Sequence, residues 1–218
     1  RVPRHADVTV VIPCFNHGRF LGEAVASARG QSGGPPRVVV VDDGSTDPET
    51  QRAFEELPEG VELIHQANAG PAAARNAGVA ATDTPLLMML DADDRLTPDA
   101  IDTLRPPLEA HDDVGYCYGV MRLFGEWTGE LRFPDFDPYK LLYRSIAGAS
   151  LGLIRREVWE AAGRFDPEIG GYEDWDFCLS ALEAGWRGLQ VDKVTLEYRK
   201  HEVSGNAEHR SAYRRTYR

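Results

Sequence analysis

The chain is poor in cysteine and in positive charge, and it has no long apolar run. Cys14, Cys117 and Cys178 are the only cysteines among 218 residues, odd in number and scattered. They form neither a CxxC pair nor a disulfide framework, which points to a reducing, cytoplasmic setting. The same scarcity weighs against zinc, whose sites draw on Cys and His at short spacings. Lys and Arg number 24 against 35 Asp and Glu, a net charge of −11. A phosphate backbone needs a basic face, so general nucleic-acid binding is excluded. No stretch approaches the roughly 20 apolar residues that cross a bilayer. The opening "RVPRHAD" lacks the apolar core of a signal peptide. It begins on Arg rather than Met, which leaves an anchor outside these residues open. Basic residues gather only in the last stretch, "RSAYRRTYR". Arg210, Arg214, Arg215 and Arg218 offer a peripheral contact to an anionic membrane surface, against the plainer reading of a solvated terminus.

What is present is ordinary for a globular protein: 42% apolar and 27% charged residues, in a length that suits one domain. In the first half, short apolar runs alternate with helical patterns. "VTVVI" (residues 8–12), "RVVVVDDGS", "VELIH" and "PLLMML" read as strands covered on both faces. Between them, residues 19–29 carry Phe20, Leu21, Ala24, Val25 and Ala28 on one helical stripe. Residues 46–57 form a second helix with Pro48 in its first turn, and "GPAAARNAGVAA" a third. "TPDAIDTLRPPLEAH" predicts a fourth, with Thr97 as N-cap and Pro98 at its first position. Such alternation implies an open parallel sheet flanked by helices, with ligands beyond the carboxyl ends of its strands.

The second half is less regular. A strand over "VGYCYGVMRLFG" returns through Gly129, and "FPDFDPYKLLYRS" leads into a short helix. "GASLGLIRREVWEAAGRFDP" joins a strand to a helix ending at Gly163. "YEDWDFCLSALEAGW" is a helix, and "LQVDKVTLEYRKH" a final strand.

Four polar stretches follow the first four strands: "IPCFN", "VDDGSTD", "NAGPAAARNAG" and "LDADD". Each alone is weak; together they mark one sheet edge. Asp91, Asp93 and Asp94 sit within four positions of the chain and repel one another, which a hard divalent ion with oxygen ligands would relieve. A bound phosphate would complete its shell. The plainer alternative has Asp94 capping the turn before Leu96 while a single aspartate meets metal. Arg75 is placed to hold a phosphate or to clamp Asp42 and Asp43, or else lies on a helix surface in water. Asn68 and Gly70 let the N-terminus of the following helix approach a ligand. Phe15 either stacks on a flat base or packs in the core. Glu173 and Asp174 follow two glycines near a helix start, where a carboxylate serves as general base or merely as a favourable N-terminal charge. His201, after the last strand, offers an imidazole to a metal.

With these pieces in order, the chain resembles a family-2 glycosyltransferase of the GT-A fold. The matching stretches are "VVIPCFN", "VVVDDGSTD", "NAGPAAARNAG", "LDADD", "GGYEDWDFCLSALEAGW" and "YRKH", from Val8 to about Asn206. The resemblance implies an α/β, Rossmann-like, mostly parallel sheet with flanking helices and a smaller mixed acceptor lobe. Residues 8–112 would form the nucleotide-sugar half, 113–206 the acceptor and catalytic half, and 207–218 a basic tail.

It implies a nucleotide-diphosphate sugar donor, UDP- or dTDP-linked, held by Pro13, Phe15, Asn16, Asp42 or Asp43, Asn68 and Arg75. Asp91-Ala92-Asp93 would be the DxD motif. Asp93 would be the main contact of Mn2+ or Mg2+, with Asp91 and His201 as further ligands. Asp174 would be the catalytic base, with Glu173 its competitor. The expected reaction inverts the anomeric carbon and adds one sugar, because the Q-x-x-R-W motif of processive synthases does not occur. A glycan, a lipid-linked molecule or a small molecule would be the acceptor. Phe15 stands where tyrosine is common, so a hydroxyl contact is lost. A catalytically inactive binding homologue and a sugar-1-phosphate nucleotidyltransferase are the rival readings; the latter needs an early glycine-rich signature that "IPCFNHGRF" lacks.

Overall fold

Valine runs set the centre of the structure. Val38, Val39, Val40 and Val41 are all buried, as are Val8, Val10, Val11 and Ile12. β-branched side chains suit a pleated strand. Each one fully buried is worth on the order of 1.5 kcal/mol. The computed structural model describes residues 4–145 and 152–201. Within them β1 (Val8–Cys14), β2 (Arg37–Asp42), β3 (Val61–His65) and β4 (Leu86–Met89) pair in parallel in the order β3-β2-β1-β4. The helices α1 (Gly18–Arg29), α2 (Pro48–Glu55) and α3 (Pro71–Ala80) connect them. Asp47 caps α2, its carboxylate accepting from the Thr50 N–H at 3.0 Å, and Pro48 opens the helix as expected.

The second half extends the same sheet. β6 (Val114–Gly125), β8 (Gly152–Arg155) and β9 (Arg187–Lys200) continue it as β4-β8-β6-β9. β8 is antiparallel to both β4 and β6, so β6 and its parallel neighbour β9 recover the direction of β1. Only β5 (Arg95–Leu96), β7 (Gly129–Leu131) and β8 run the other way among the described strands. The sheet is mostly parallel, with its mixed part in the second half. The short helices α5 (Pro138–Leu141) and α6 (Arg156–Ala161) precede α7 (Glu173–Glu183).

One boundary departs from expectation. The fourth helix, α4, covers Ala100–Glu109 with Asp99 at its N-cap position, so Thr97 does not cap it and Pro98 is not its first residue. The Thr97 N–H donates to the Thr195 carbonyl at 3.1 Å, and its hydroxyl pairs with Asp99 and the Val194 carbonyl. The chain there is held by β9 as an extension of β5, and a residue so held cannot also start a helix.

Ahead of β1, His5 is wholly buried against Gly33, where an added Cβ would fall 2.1 Å from the His5 Nε2. Burial lowers the His5 pKa; Asp102 opposes, Arg105 and Arg4 reinforce, and Asp7 opposes. The folded state therefore prefers neutral imidazole. Its contribution is fully present above the unfolded value of about 6.5 and is lost as pH falls below it. In urea titrations at pH 8 and pH 5.5, His5→Gln is expected to narrow the drop in stability shown by the parent. An identical drop in both proteins removes His5 as its source.

Candidate functional site

The carboxyl ends of β1, β2 and β4 share one edge of the sheet, and the polar loops that follow them meet there. Asn16 adopts a left-handed backbone, φ 55°, which asparagine tolerates. Its side-chain oxygen accepts from the Thr46 and Asp47 N–H groups at 2.9 Å each, joining the β1 loop to the β2 loop. Phe15 beside it is 46% exposed, which excludes core packing and leaves a ring face open. Pro13 is half-buried at the strand end.

Asp42 accepts from the Ser45 N–H at 2.7 Å and pairs with the His65 Nδ1 at 2.9 Å. Asp43 accepts from the Gln66 amide and from the Ala69 and Gly70 N–H groups, between 2.7 and 2.9 Å. Both carboxylates are buried and fix the loop that carries the exposed Asn68 into α3.

Helix α3 lies close on the sheet because Gly78 has no side chain: a Cβ there would reach 2.4 Å from Val11 and 3.1 Å from Val41. Gly78→Ala is expected to lower stability by about 1–3 kcal/mol through overpacking. Denaturant midpoints measure it, and no loss would mean that α3 stands off without strain.

One turn earlier in α3 is Arg75, its side chain only 5% exposed. It donates to Asp91 at 2.9 Å and to Glu173 at 3.0 Å, and its Nη1 lies 3.9 Å from Asp174. Burial works against its charge, but Asp91, Asp174 and Glu173 outweigh that and hold it protonated. The clamp on Asp42 and Asp43 allowed by the sequence is not formed: those carboxylates are engaged by the β2 and β3 loops, and the guanidinium turns to the opposite acids. Neighbouring Asn76 accepts from the Phe165 N–H and the Trp159 indole and donates to the Phe165 carbonyl, tying α3 to the segment that leads into α7. Phe165 stacks on Phe177 of α7 at 4.8 Å. Gly171, at φ 80°, turns the chain just before Glu173. Glu173 is buried, while the Asp174 side chain keeps 31% exposure. Burial, then Asp166 and Glu183, raise the Asp176 pKa.

Past β4, Ala92 is buried and the three aspartates diverge. Asp91 goes to Arg75. Asp94 accepts from the Arg199 N–H of β9 at 2.8 Å, rather than capping its own turn. Burial, Asp91 and Asp93 raise its pKa well above the usual carboxylate range. Asp93 meets the His201 Nε2 at 2.9 Å. The Arg199 guanidinium, unremarked in the sequence, holds the Asp93 carbonyl at 2.8 Å and Glu23 at 2.8 Å. His17, also missed, completes a group: ligand atoms of His17, Asp93 and His201 lie within 4.8 Å of one another. A histidine at a helix N-cap position, where Ser, Thr, Asp or Asn is usual, was the signal available. Cys14 and Cys117 are pushed up to about 12 by burial, so neither is a nucleophile here.

A parallel sheet that turns mixed in its second half, with acids at its carboxyl edge and a helix-borne carboxylate pair facing them, is the GT-A architecture. The chain belongs to glycosyl transferase family 2, whose description matches residues 9–158. A pre-mycofactocin glycosyltransferase of Mycobacterium tuberculosis is 45% identical over 92% of this chain, which spans 44% of that protein's length. The succinoglycan biosynthesis protein ExoO of Rhizobium meliloti is 33% identical over 83% of the chain and 57% of its own length. The fold is shared with S. aureus TarS 1-349 in complex with UDP-GlcNAc (TM-score 0.76, 20% identity, 90% of this chain and 59% of that one). It is also shared with the mannosyltransferase PcManGT from Pyrobaculum calidifontis in complex with GDP-Man and Mn2+ (TM-score 0.69, 22% identity, 93% and 59%).

Proposed function

We propose that this domain moves one sugar from a nucleotide-diphosphate sugar to an acceptor hydroxyl, with inversion at the anomeric carbon and the assistance of Mn2+ or Mg2+. The observation that carries the reading is the Arg75 guanidinium. It joins Asp91 of the DxD stretch to Glu173 and stands 3.9 Å from Asp174. Donor-side and base-side carboxylates are thereby held together by one buried cation. Complexes of TarS with UDP-GlcNAc and of PcManGT with GDP-Man and Mn2+ support the classes of donor and ion.

Phe15 offers its exposed ring to the base, and the loops fixed by Asn16, Asp42 and Asp43 enclose the nucleoside. Uridine or thymidine is the base favoured by the family resemblance. Asp93 and the imidazoles beside it fit a divalent ion, offering one carboxylate oxygen and two ring nitrogens within 4.8 Å of one another. A bound ion would supply Lewis-acid neutralisation of the charge on the departing diphosphate. Asp174, with water-accessible oxygen and a cation nearby, takes the proton of the acceptor hydroxyl. Glu173, engaged by Arg75, positions it. Attack opposite the leaving group inverts the carbon, and no second carboxylic acid is needed, unlike in glycoside hydrolases. The acceptor is a glycan, a lipid-linked molecule or a small metabolite, met in the cytoplasm. The basic tail proposed for membrane contact, and residues 146–151 of the acceptor region, lie outside the described residues.

Turnover with a panel of UDP-, dTDP- and GDP-sugars, with and without Mn2+, tests the activity. Asp93→Ala is expected to abolish metal-dependent nucleotide affinity in calorimetry while preserving the fold, since it removes one charge from a repelling cluster. Unchanged affinity would refute the assignment. Guanosine diphosphate binding more tightly than both uridine and thymidine diphosphates would reverse the base preference.

A further inference from the structure

We infer that His17 is itself a metal ligand. The protein's share of the coordination shell is then His17, Asp93 and His201 rather than a pair of aspartates, and this nitrogen-rich set favours Co2+ and Mn2+ over Mg2+. The inference rests on the metal-assisted reading above and names the ligands and selectivity of that site.

The geometry points away from Asp91. Its carboxylate is bound at 2.9 Å to a guanidinium that is 5% exposed and shared with Glu173. Drawing Asp91 onto an ion would strip a buried cation of one of its two close partners, and leaving a buried charge short of partners is strongly unfavourable. Asp93 faces no such conflict. Its Oδ2 already lies 2.9 Å from the His201 Nε2, and its carbonyl is fixed by Arg199 of β9, the strand that ends one residue before His201.

His17 approaches from the opposite side. It occupies the N-cap position of α1 yet makes no capping hydrogen bond, and the first turn of that helix contains no acid. The imidazole is directed instead at His201, with ring centroids 5.9 Å apart at 84°. Phe20, one turn into α1, contacts both rings, at 6.3 Å from His17 and 5.2 Å from His201. The three side chains thus come from the β1 loop, the β4 loop and the end of β9, and a common apolar surface orients the two imidazoles.

Donor chemistry then sets selectivity. Mg2+ takes oxygen ligands and gives up its waters reluctantly. Two imidazoles and one carboxylate suit first-row transition ions, with affinity rising from Mn2+ to Co2+. A shell built on two aspartates would narrow that selectivity, because carboxylate oxygens suit Mg2+ and Mn2+ alike.

The test uses the full 218-residue chain with uridine diphosphate and titrates Mg2+, Mn2+ and Co2+ by calorimetry. Pulsed electron paramagnetic resonance of the Mn2+ sample counts the coordinated imidazole nitrogens. The expected order is Co2+ tighter than Mn2+ tighter than Mg2+, with two imidazoles on Mn2+. His17→Ala is expected to leave one imidazole and to weaken Co2+ by at least about tenfold, the lower end of what loss of a supporting partner already causes. His17→Asp, which also restores a good helix cap, should narrow the gap between Mg2+ and Co2+. Two imidazoles persisting in His17→Ala, or a parent that binds Mg2+ as tightly as Co2+, would overturn the role of His17. The metal-assisted reading would still stand if Asp93→Ala abolished Mn2+ binding. No divalent ion bound by the parent would overturn both.

Discussion

Asp174→Asn is expected to slow turnover by roughly 10²–10⁴-fold, the usual effect of losing a positioned general base. Asparagine keeps the size and the hydrogen bonding of the side chain and removes only its basicity. Donor affinity should stay close to that of the parent, because the base addresses the acceptor. Glu173→Gln gives the contrast. Glu173 is buried and accepts from Arg75 at 3.0 Å, so its loss should disturb stability along with rate. Steady-state kinetics and calorimetry on the two variants decide between them. Near-normal turnover in Asp174→Asn, with collapse in a well-folded Glu173→Gln, would move the proton transfer to Glu173.

Arg75→Met should unfold far more easily than the parent, by about 3 kcal/mol, the lower end of the range for breaking a buried ion pair. The lower end applies because water shares the burden: Asp91 is 42% exposed and Asp174 31%, against 10% for Glu173. Methionine fills much the same volume, so the deficit reports charge rather than a cavity. Arg75→Lys should recover only part of it, since one ammonium cannot copy the forked geometry that reaches both Asp91 and Glu173. Denaturant midpoints above pH 7 measure both. If Arg75→Met matched the parent, the three carboxylates would not depend on the guanidinium, and the carrying observation for the proposed function would fall.

Local signals made much of this architecture legible. Continuous apolar runs such as residues 38–41 and the helical stripe of α1 describe their own burial, and the acids after each strand mark the edge where the site lies. Short elements and distant partners were not legible. β5 is two residues long and exists because β9, about 100 residues away, pairs with it, so the Thr97-Pro98 step that follows it looked like the start of a helix. Arg75 showed its charge but not its direction: Glu173 is 98 positions away, and the nearer Asp42 and Asp43 were already engaged by main-chain groups. His17 was overlooked because a lone histidine beside glycine carries no spacing signal. Only its failure to behave as a helix cap sets it apart.

The length and position of β9 impose an order of events. Fourteen residues of strand must register along β6, through three irregularities in pairing, before Lys200 comes level with Gly125. Only then does His201 arrive beside Asp93, 108 residues earlier in the chain. Contacts between such distant segments close late in folding because the loop between them must be ordered first. A growing polypeptide that has emerged as far as residue 190 already contains β1–β4, α3 and α7, and with them Arg75 and both carboxylates of the ED pair. It has no imidazole from the end of β9. The carboxyl edge of the first four strands can therefore assemble during synthesis before His17 and Asp93 gain the third member of their cluster.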